Sequence, residues 1–301
     1  MPRGERDRRY NTAMGNSFSR SWALAKESYN VLRANPQLAL FPIISGIVSI
    51  IVTISFALPM FLTQNFDRAH GVTPLHYTVM FCFYLASYFV VIFFNAGLVS
   101  CAHESLQGRP TSFASGMSNA VRHLPSIILW TLIAATVGTI LRAIGERAGI
   151  VGQIIVAIIG AAWTIITYFV VPILVIANVG PVAAIKESAA LFKRTWGERV
   201  IVNVGLGIAF FVLVMIGFIP MILGIVAAVN GLWPLAIIGV SVMVLYWLAI
   251  AIIASTLAGI FNTALYVYAS TGHVPHGFSE QSIRGAFRMK ERKGVFGIGG
   301  R

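Results

Sequence analysis

Long apolar stretches separated by short polar gaps dominate this chain. A helix needs about 20 consecutive apolar residues to cross the hydrocarbon core of a bilayer, and six stretches reach that length. They run over Leu38–Leu62, Leu75–Cys101, Leu124–Ile144, Ile154–Ile176, Ile201–Val229 and Leu235–Val267. The pattern therefore predicts six transmembrane helices, the last of them long enough to tilt or to project into the cytoplasm.

A second pattern precedes the first, third and fifth stretches. There, apolar residues recur every three or four positions with polar or charged residues between them, which is typical of a helix in the plane of the lipid headgroups. The three apolar stripes are Phe18, Trp22, Ala25, Tyr29 and Leu32; Phe113, Met117, Val121 and Leu124; and Val182, Ile185, Ala189, Phe192 and Trp196. We expect an interfacial amphipathic helix at each place.

Short sequence matches link these units. The Lys-Glu-Ser tripeptide of Lys26–Ser28 recurs at Lys186–Ser188, and Phe94-Asn95 recurs as Phe261-Asn262. The predicted fold class is all-α: a polytopic membrane protein with six transmembrane helices as three hairpins, each preceded by a cytoplasmic interfacial amphipathic helix. The alternative interpretation is that the matches are coincidental, because any helix that enters a membrane from the cytoplasm has this pattern.

The composition indicates the class of protein, and the distribution of charge indicates its orientation in the membrane. Of 301 residues, 57% are hydrophobic and 11% are charged, against about 25% charged in a soluble domain. Nineteen of the 22 Lys and Arg residues fall on the N-terminal segment, the second and fourth gaps and the C-terminal tail. Positive residues stay cytoplasmic during insertion, so we expect a multi-pass protein of the cell inner membrane with both termini in the cytoplasm.

Three segments are predicted along the chain: a disordered basic N-terminus (1–16), a six-helix transmembrane domain (17–272) and a basic cytoplasmic C-terminal tail (273–301). In the tail, Ile283 and Phe287 lie one helical turn apart among basic residues, which favours a helix on the surface of anionic lipid. The alternative is a solvated tail whose positive charges only keep the C-terminus in the cytoplasm. The candidate lipid contacts there are Arg284, Arg288, Lys290, Arg292 and Lys293.

The predicted partners are anionic lipids of the cytoplasmic leaflet, and a protein partner or a homo-oligomer stays open. Nucleic acid is not expected, although the net charge is +12, because no basic–aromatic recognition motif accompanies that charge. The two cysteines, Cys82 and Cys101, lie about 28 Å apart along one predicted helix. They are therefore expected to be free packing residues.

The residues that catalysis requires are missing from the apolar stretches. None has a carboxylate near its centre or a histidine away from its ends, so ion-coupled carriers and intramembrane hydrolases are disfavoured. His273 and His276 are two ligands, which rarely make a metal site. No Gly-rich phosphate loop is present. We expect no enzyme activity and no cofactor.

A few polar residues, prolines and small residues within the apolar stretches are the remaining candidates for a structural or functional role. Arg142 is expected either to bind an anionic headgroup or to extend toward the surface with Glu146 one turn later. Asn95 and Asn262 are expected to bond across helices, or else to line a polar pathway. Pro172 and Pro220 are expected to bend their helices. Small residues at Ser255, Gly259 and Thr263, and at Gly224 and Ala228, predict close helix contacts.

Three groups of residues carry a resemblance to a known family. They are Phe18–Trp22 with Lys26, Ser28, Val31–Arg33, Pro36 and Phe41-Pro42; Ala135–Gly138 with Leu141-Arg142; and Val170–Pro172 through Val179–Pro181, Ala184-Ile185, Ser188 and Trp196-Gly197. The chain resembles a family of uncharacterised prokaryotic integral membrane proteins, which implies a fold and a location but no reaction. Members often have an acid where Ala177-Asn178 stand here. The layout is similar to the membrane domain of some glycerophosphodiesterases, but this chain has no hydrolase domain.

The sequence thus favours a non-enzymatic membrane protein that organises lipid or partner proteins at the cytoplasmic leaflet. The alternative is a permease-like membrane subunit of a transporter, in which the helix at Pro181–Trp196 docks a cytoplasmic ATPase. A lipid-modifying enzyme is a third and less favoured interpretation, because the catalytic residues are missing.

Overall fold

The computed structural model describes residues 23–62, 74–196 and 213–287, and every regular element in these ranges is a helix. The helices are α1 (23–34), α2 (Leu40–Leu62), α3 (Pro74–Leu106), α4 (Phe113–Arg122), α5 (Leu124–Arg147), α6 (Ile150–Ile166), α7 (Val170–Pro172), α8 (Pro181–Trp196), α9 (Phe218–Val229), α10 (Trp233–Thr271) and α11 (Glu280–Phe287). A 3₁₀ turn (Pro36–Ala39) leads into α2, and a π-helical turn (Ile173–Ala177) continues α7.

Five segments of the described chain are long and apolar enough to cross a membrane. They are Pro36–Pro59, Thr78–Leu106, Leu124–Arg147, Ile150–Ala177 and Trp233–Thr271. The protein is therefore embedded in a membrane. The fifth predicted stretch is described only in part: Leu213–Val229 is a shorter apolar helix, and residues 201–212 lie outside the described residues. The predicted N-terminal segment 1–16 lies outside them as well.

The buried core lies at one end of the bundle, which we call the near end: α2 begins there, and α3 and α10 end there. Asn35, just before the 3₁₀ turn, donates to Ser105 near the end of α3 (2.8 Å). The backbone N–H of His276, after α10, donates to the carbonyl of Leu106 (2.9 Å). Toward the other end most apolar side chains are exposed, as expected of helices that face lipid.

Helix α3 is central, and it contacts α2, α4, α5 and α10. Around the fully buried ring of Phe41, α2, α3 and α4 approach closely. A Cβ added to Gly97 would lie 2.5 Å from that ring, and one added to Gly116 would lie 2.7 Å from it. Phe113 packs on the same ring, with centroids 4.7 Å apart. The two glycines therefore allow the three helices to meet.

The three helices that precede apolar stretches, α1, α4 and α8, share a pattern of burial. Each buries positions spaced i, i+4 and i+7: Leu24, Ser28 and Val31; Gly116, Ala120 and His123; and Ala184, Ser188 and Leu191. Every buried set is displaced by one residue from the predicted apolar stripe. Tyr29, Val121 and Val182 of those stripes are instead 49%, 54% and 57% exposed.

Small residues such as Gly116, Ala184 and Ser188 let a helix backbone approach its neighbours. Tyr29, Val121 and Val182 of the adjacent stripes stay outside the bundle, where surrounding lipid can cover them. Phe113 of the second stripe instead packs on Phe41. The interfacial placement of the three helices stays a prediction.

Both predicted proline bends are present. The helix is interrupted at residues 167–169, before Pro172, and again at Gly217, before Pro220. Proline has no N–H and its ring clashes with the carbonyl four residues earlier, so each break leaves backbone groups without helical partners. Side chains of α10 donate to carbonyls near both breaks. Asn262 donates to the carbonyl of Tyr168 at the first, and Tyr246 and Trp247 donate at the second to the carbonyls of Leu213 and Val214, which also accept from the N–H of Gly217.

The predicted small-residue contacts also form, and they lie within the fold. A Cβ on Gly259 of α10 would lie 3.1 Å from Leu98 Cγ of α3. A Cβ on Gly224 of α9 would lie 3.1 Å from the carbonyl of Ala236 in α10. Helices α9 and α10 pack side by side across the three-residue connection 230–232.

Candidate functional site

A groove of about 290 Å³ lies between α2, α3 and α10, within three of the apolar segments. Phe94 and Leu98 of α3 line it and are buried. Leu248, Ala251 and Ser255 of α10 also line it and are exposed, so the groove is open along α10. No lining residue is charged. Its volume lies at the lower end of the ~300–1,000 Å³ of small-molecule pockets.

Four polar side chains line this groove: Ser45 and Ser49 of α2, Asn95 of α3 and Ser255 of α10. Several hydroxyls elsewhere in the apolar segments bond to a carbonyl one turn back. Thr131 bonds to Ile127 (2.7 Å), and Thr256 bonds to Ile252 (2.7 Å). In the described part of the chain the four groove side chains have no such partner. They therefore present free donors and acceptors in a neutral, apolar setting.

Asn95 and Asn262, which the sequence linked, lie in different surroundings. Asn262 donates from Nδ2 to the carbonyl of Tyr168 at the first proline break (3.0 Å), and its Oδ1 is buried without a partner. The N–H of Phe169 at the same break donates to Ser188 Oγ of α8 (3.1 Å). Asn262 thus makes an interhelical polar contact with a backbone acceptor, whereas Asn95 faces the groove.

Arg142 lies at the opposite end of the bundle and has protein partners. Its Nε donates to Glu146 Oε1 one turn later (2.8 Å), with both side chains exposed. Its guanidinium also bonds to the Tyr84 hydroxyl and lies 5.5 Å from the centroid of that ring. Of the two predicted roles, the ion pair with Glu146 is present, and lipid contact by Arg142 stays a prediction.

The C-terminal segment folds back onto α1 at the near end. Glu27 Oε1 accepts hydrogen bonds from Ser279 Oγ (2.8 Å) and Ser282 Oγ (2.9 Å). Ile283 beside them is fully buried. We call Glu27, Ser279 and Ser282 the terminal clasp. No local pattern of residues predicts the clasp, because it joins residues about 250 positions apart.

Six basic side chains are exposed around the near end, on α1, α4, α8 and the loop after α3. We call them the basic rim: Lys26, Arg33, Arg109, Arg122, Lys186 and Lys193. Within the described residues Arg142 has an acidic partner, but none of the six rim residues has one. The predicted tail contacts Arg288, Lys290, Arg292 and Lys293 lie outside the described residues, and Arg284 is described only as part of helix α11.

No metal-binding cluster is found among the described residues: in those ranges no group of three or more His, Cys, Asp and Glu side chains could hold an ion. Both cysteines are free, as predicted. Cys101 is buried, whereas Cys82 is exposed.

Comparison with known proteins gives a family. Residues 74–278 match the model of a family of unknown function (DUF6159). The match covers more than half of the chain, so the chain belongs to this family. No curated protein and no solved structure matches it. The similarity in layout to the membrane domain of glycerophosphodiesterases stays a prediction, as does the resemblance carried by residues 18–42, which lie outside the match.

Proposed function

We propose that this member of a family of unknown function is a non-enzymatic, multi-pass membrane protein that organises anionic lipid at the cytoplasmic leaflet. The observation that carries the proposal is the basic rim, whose six exposed cations have no acidic partner in the described part of the chain. Cations near a membrane surface attract anionic lipid by about 1 kcal/mol each. The proposal does not include catalysis, because the apolar stretches lack ionisable residues near their centres.

The orientation that we propose has six spans, with both termini in the cytoplasm. It is supported by the terminal clasp, in which α1 before the first span contacts the segment after the last one. Termini at one end require an even number of crossings. Five segments are long enough, and the helix Leu213–Val229 would contribute the sixth. The positive-inside rule then assigns the near end, with the basic rim, to the cytoplasm.

The test measures how the purified full-length protein responds to anionic lipid. In nanodiscs with rising fractions of phosphatidylglycerol, we expect the wild-type protein to be enriched in that lipid over the bulk. The variant Arg122→Gln/Lys186→Gln removes two rim charges, which at about 1 kcal/mol each corresponds to a ~30-fold weaker preference. The control Arg122→Lys/Lys186→Arg keeps both charges and should keep the preference.

Three outcomes would contradict the proposal. Equal enrichment in all three proteins would mean that the rim does not select anionic lipid. Purification with an ATPase in fixed stoichiometry, lost on substitution of exposed α8 residues such as Val182, would favour the transporter subunit instead. Turnover of a lipid by the pure protein would overturn the non-enzymatic part.

A further inference from the structure

We infer that the groove between α2, α3 and α10 is a binding site for one glycerolipid of the near leaflet, and that its serines and Asn95 recognise the ester region of that lipid. The inference depends on the embedding of the helices in a membrane. It does not depend on the basic rim, because no residue that lines the groove is charged.

The depth of the groove matches the ester region. Ser45 and Ser49 lie five and nine residues after Leu40, where α2 begins. At 1.5 Å per residue this is about 8 and 14 Å along α2 from its first residue, in the half of α2 that is closer to the near end. A lipid of that leaflet has its ester groups at the boundary of the core and its chains below them. A lipid entering from the side would bring its ester oxygens toward Ser45 and its chains past Ser49.

The chemistry of the lining selects neutral oxygens. Ser45, Ser49 and Ser255 offer hydroxyls and Asn95 offers an amide, and none of the four is bonded to protein in the described part of the chain. A polar group in hydrocarbon without a partner costs free energy. Ester carbonyls accept hydrogen bonds and are the polar groups that every diacyl glycerolipid carries to this depth. Phe94 and Leu98 form an apolar base on which an acyl chain can pack.

The occupant is a lipid rather than a water-soluble ligand, because the groove is open along α10 within the apolar segment. Leu248 and Ala251 on that side are exposed and apolar. In a membrane such surfaces face lipid tails. The groove volume is that of a small-molecule pocket at the low end of the range, which suits the glycerol and the upper part of one chain better than a whole lipid.

A matched pair of glycines provides the test. Gly46 lines the groove, and a Cβ added to it meets no atom within 4 Å. Gly160 of α6 has the same open surroundings but does not line the groove. Gly46→Leu therefore fills the groove without a clash at Cβ, whereas Gly160→Leu adds the same bulk elsewhere in a span. Neither substitution changes the charge of the protein. The enrichment in phosphatidylglycerol that tests the proposed function should therefore be the same in both variants, so the two tests can fail independently.

The full-length protein is reconstituted in vesicles of phosphatidylethanolamine and phosphatidylglycerol with a trace of phosphatidylethanolamine that carries a diazirine beside its ester. After photolysis, labelled peptides are identified by mass spectrometry. We expect label on residues 42–49, 91–98 and 248–255. Labelling should fall about tenfold in Gly46→Leu and stay unchanged in Gly160→Leu. Even labelling of all lipid-facing helices, or equal labelling of both variants, would overturn the inference.

A second arm tests recognition of the ester itself. The ether-linked form of the probe lacks the carbonyl, so we expect it to label the wild-type groove less, by about threefold for one membrane hydrogen bond. Asn95→Leu should lower the labelling by the ester probe to that of the ether probe. A groove that neither probe labels in the wild-type protein would also overturn the inference, since another segment of the chain or a second copy would then fill it.

Discussion

At the scale of single residues, Asn262 shows how a buried polar group in a membrane helix stabilises a broken neighbour. Pro172 cannot donate to the carbonyl of Tyr168 four residues earlier, and that carbonyl has no water to bond to within a bilayer. Asn262 Nδ2 donates to it at 3.0 Å. The asparagine thus replaces the hydrogen bond that the proline removes.

Replacing this asparagine should therefore destabilise the protein. Asn262→Leu removes the hydrogen bond to the Tyr168 carbonyl, and we expect the free energy of unfolding to fall by about 0.5–1.5 kcal/mol. The apparent melting temperature in mild detergent measures the change. Asn95→Leu is the control, because Asn95 has no bonded partner in the described chain and should cost little stability. Equal loss in both variants would contradict the role given to Asn262.

At the scale of elements, the terminal clasp links α11 to α1. Two serine hydroxyls donate to one oxygen of Glu27, and Ser279 also accepts from the N–H of Ser282 (3.2 Å). Phe278 and Ile283 on either side are buried. The short helix α11 is therefore anchored by both polar and apolar contacts, although eight residues alone would be too few for a stable helix.

Removal of the two hydroxyls should loosen α11 without unfolding the bundle. A hydrogen bond to a charged group contributes about 1.5–3 kcal/mol, so Ser279→Ala/Ser282→Ala should speed amide exchange of residues 280–287 by tenfold or more. Hydrogen–deuterium exchange measures this rate. Gln281→Ala, at an exposed position of the same helix, should leave it unchanged. Unaltered exchange in the double variant would show that apolar packing alone holds α11.

At the scale of the whole molecule, contacts at the near end bring together distant parts of the chain. The segments around Asn35, Leu106 and His276 meet there, together with the two partners of the clasp. The chain before α2 and the chain after α10 therefore lie at one end of the bundle, which supports the proposed even number of crossings.

Cysteine labelling tests this topology. A cysteine in place of Arg3 or Arg301 should react with a membrane-impermeant maleimide only after the membrane is opened, and one in place of Asp67 should react in intact cells. The native Cys82 and Cys101 lie within an apolar segment and give the background. Reaction of positions 3 and 301 on opposite sides would exclude an even number of spans.

The sequence by itself determined the membrane class, the existence and approximate ends of the long helices, and the two proline breaks. Each of these depends on a local property. The length of an apolar run fixes whether a helix can span a bilayer, and a proline lacks its N–H wherever it stands. The short connection between α9 and α10 and the close packing at Gly224 and Gly259 follow from local sequence in the same way.

Only the tertiary structure decided which faces and which partners are used. In α1, α4 and α8 the buried positions lie one residue before members of the apolar stripe, and Tyr29, Val121 and Val182 of the stripes are exposed. Asn262 bonds to Tyr168 rather than to Asn95, Glu27 meets Ser279 and Ser282, and four groove side chains stay unpaired. These outcomes depend on residues far apart in the sequence, and no local pattern of polarity encodes their distances.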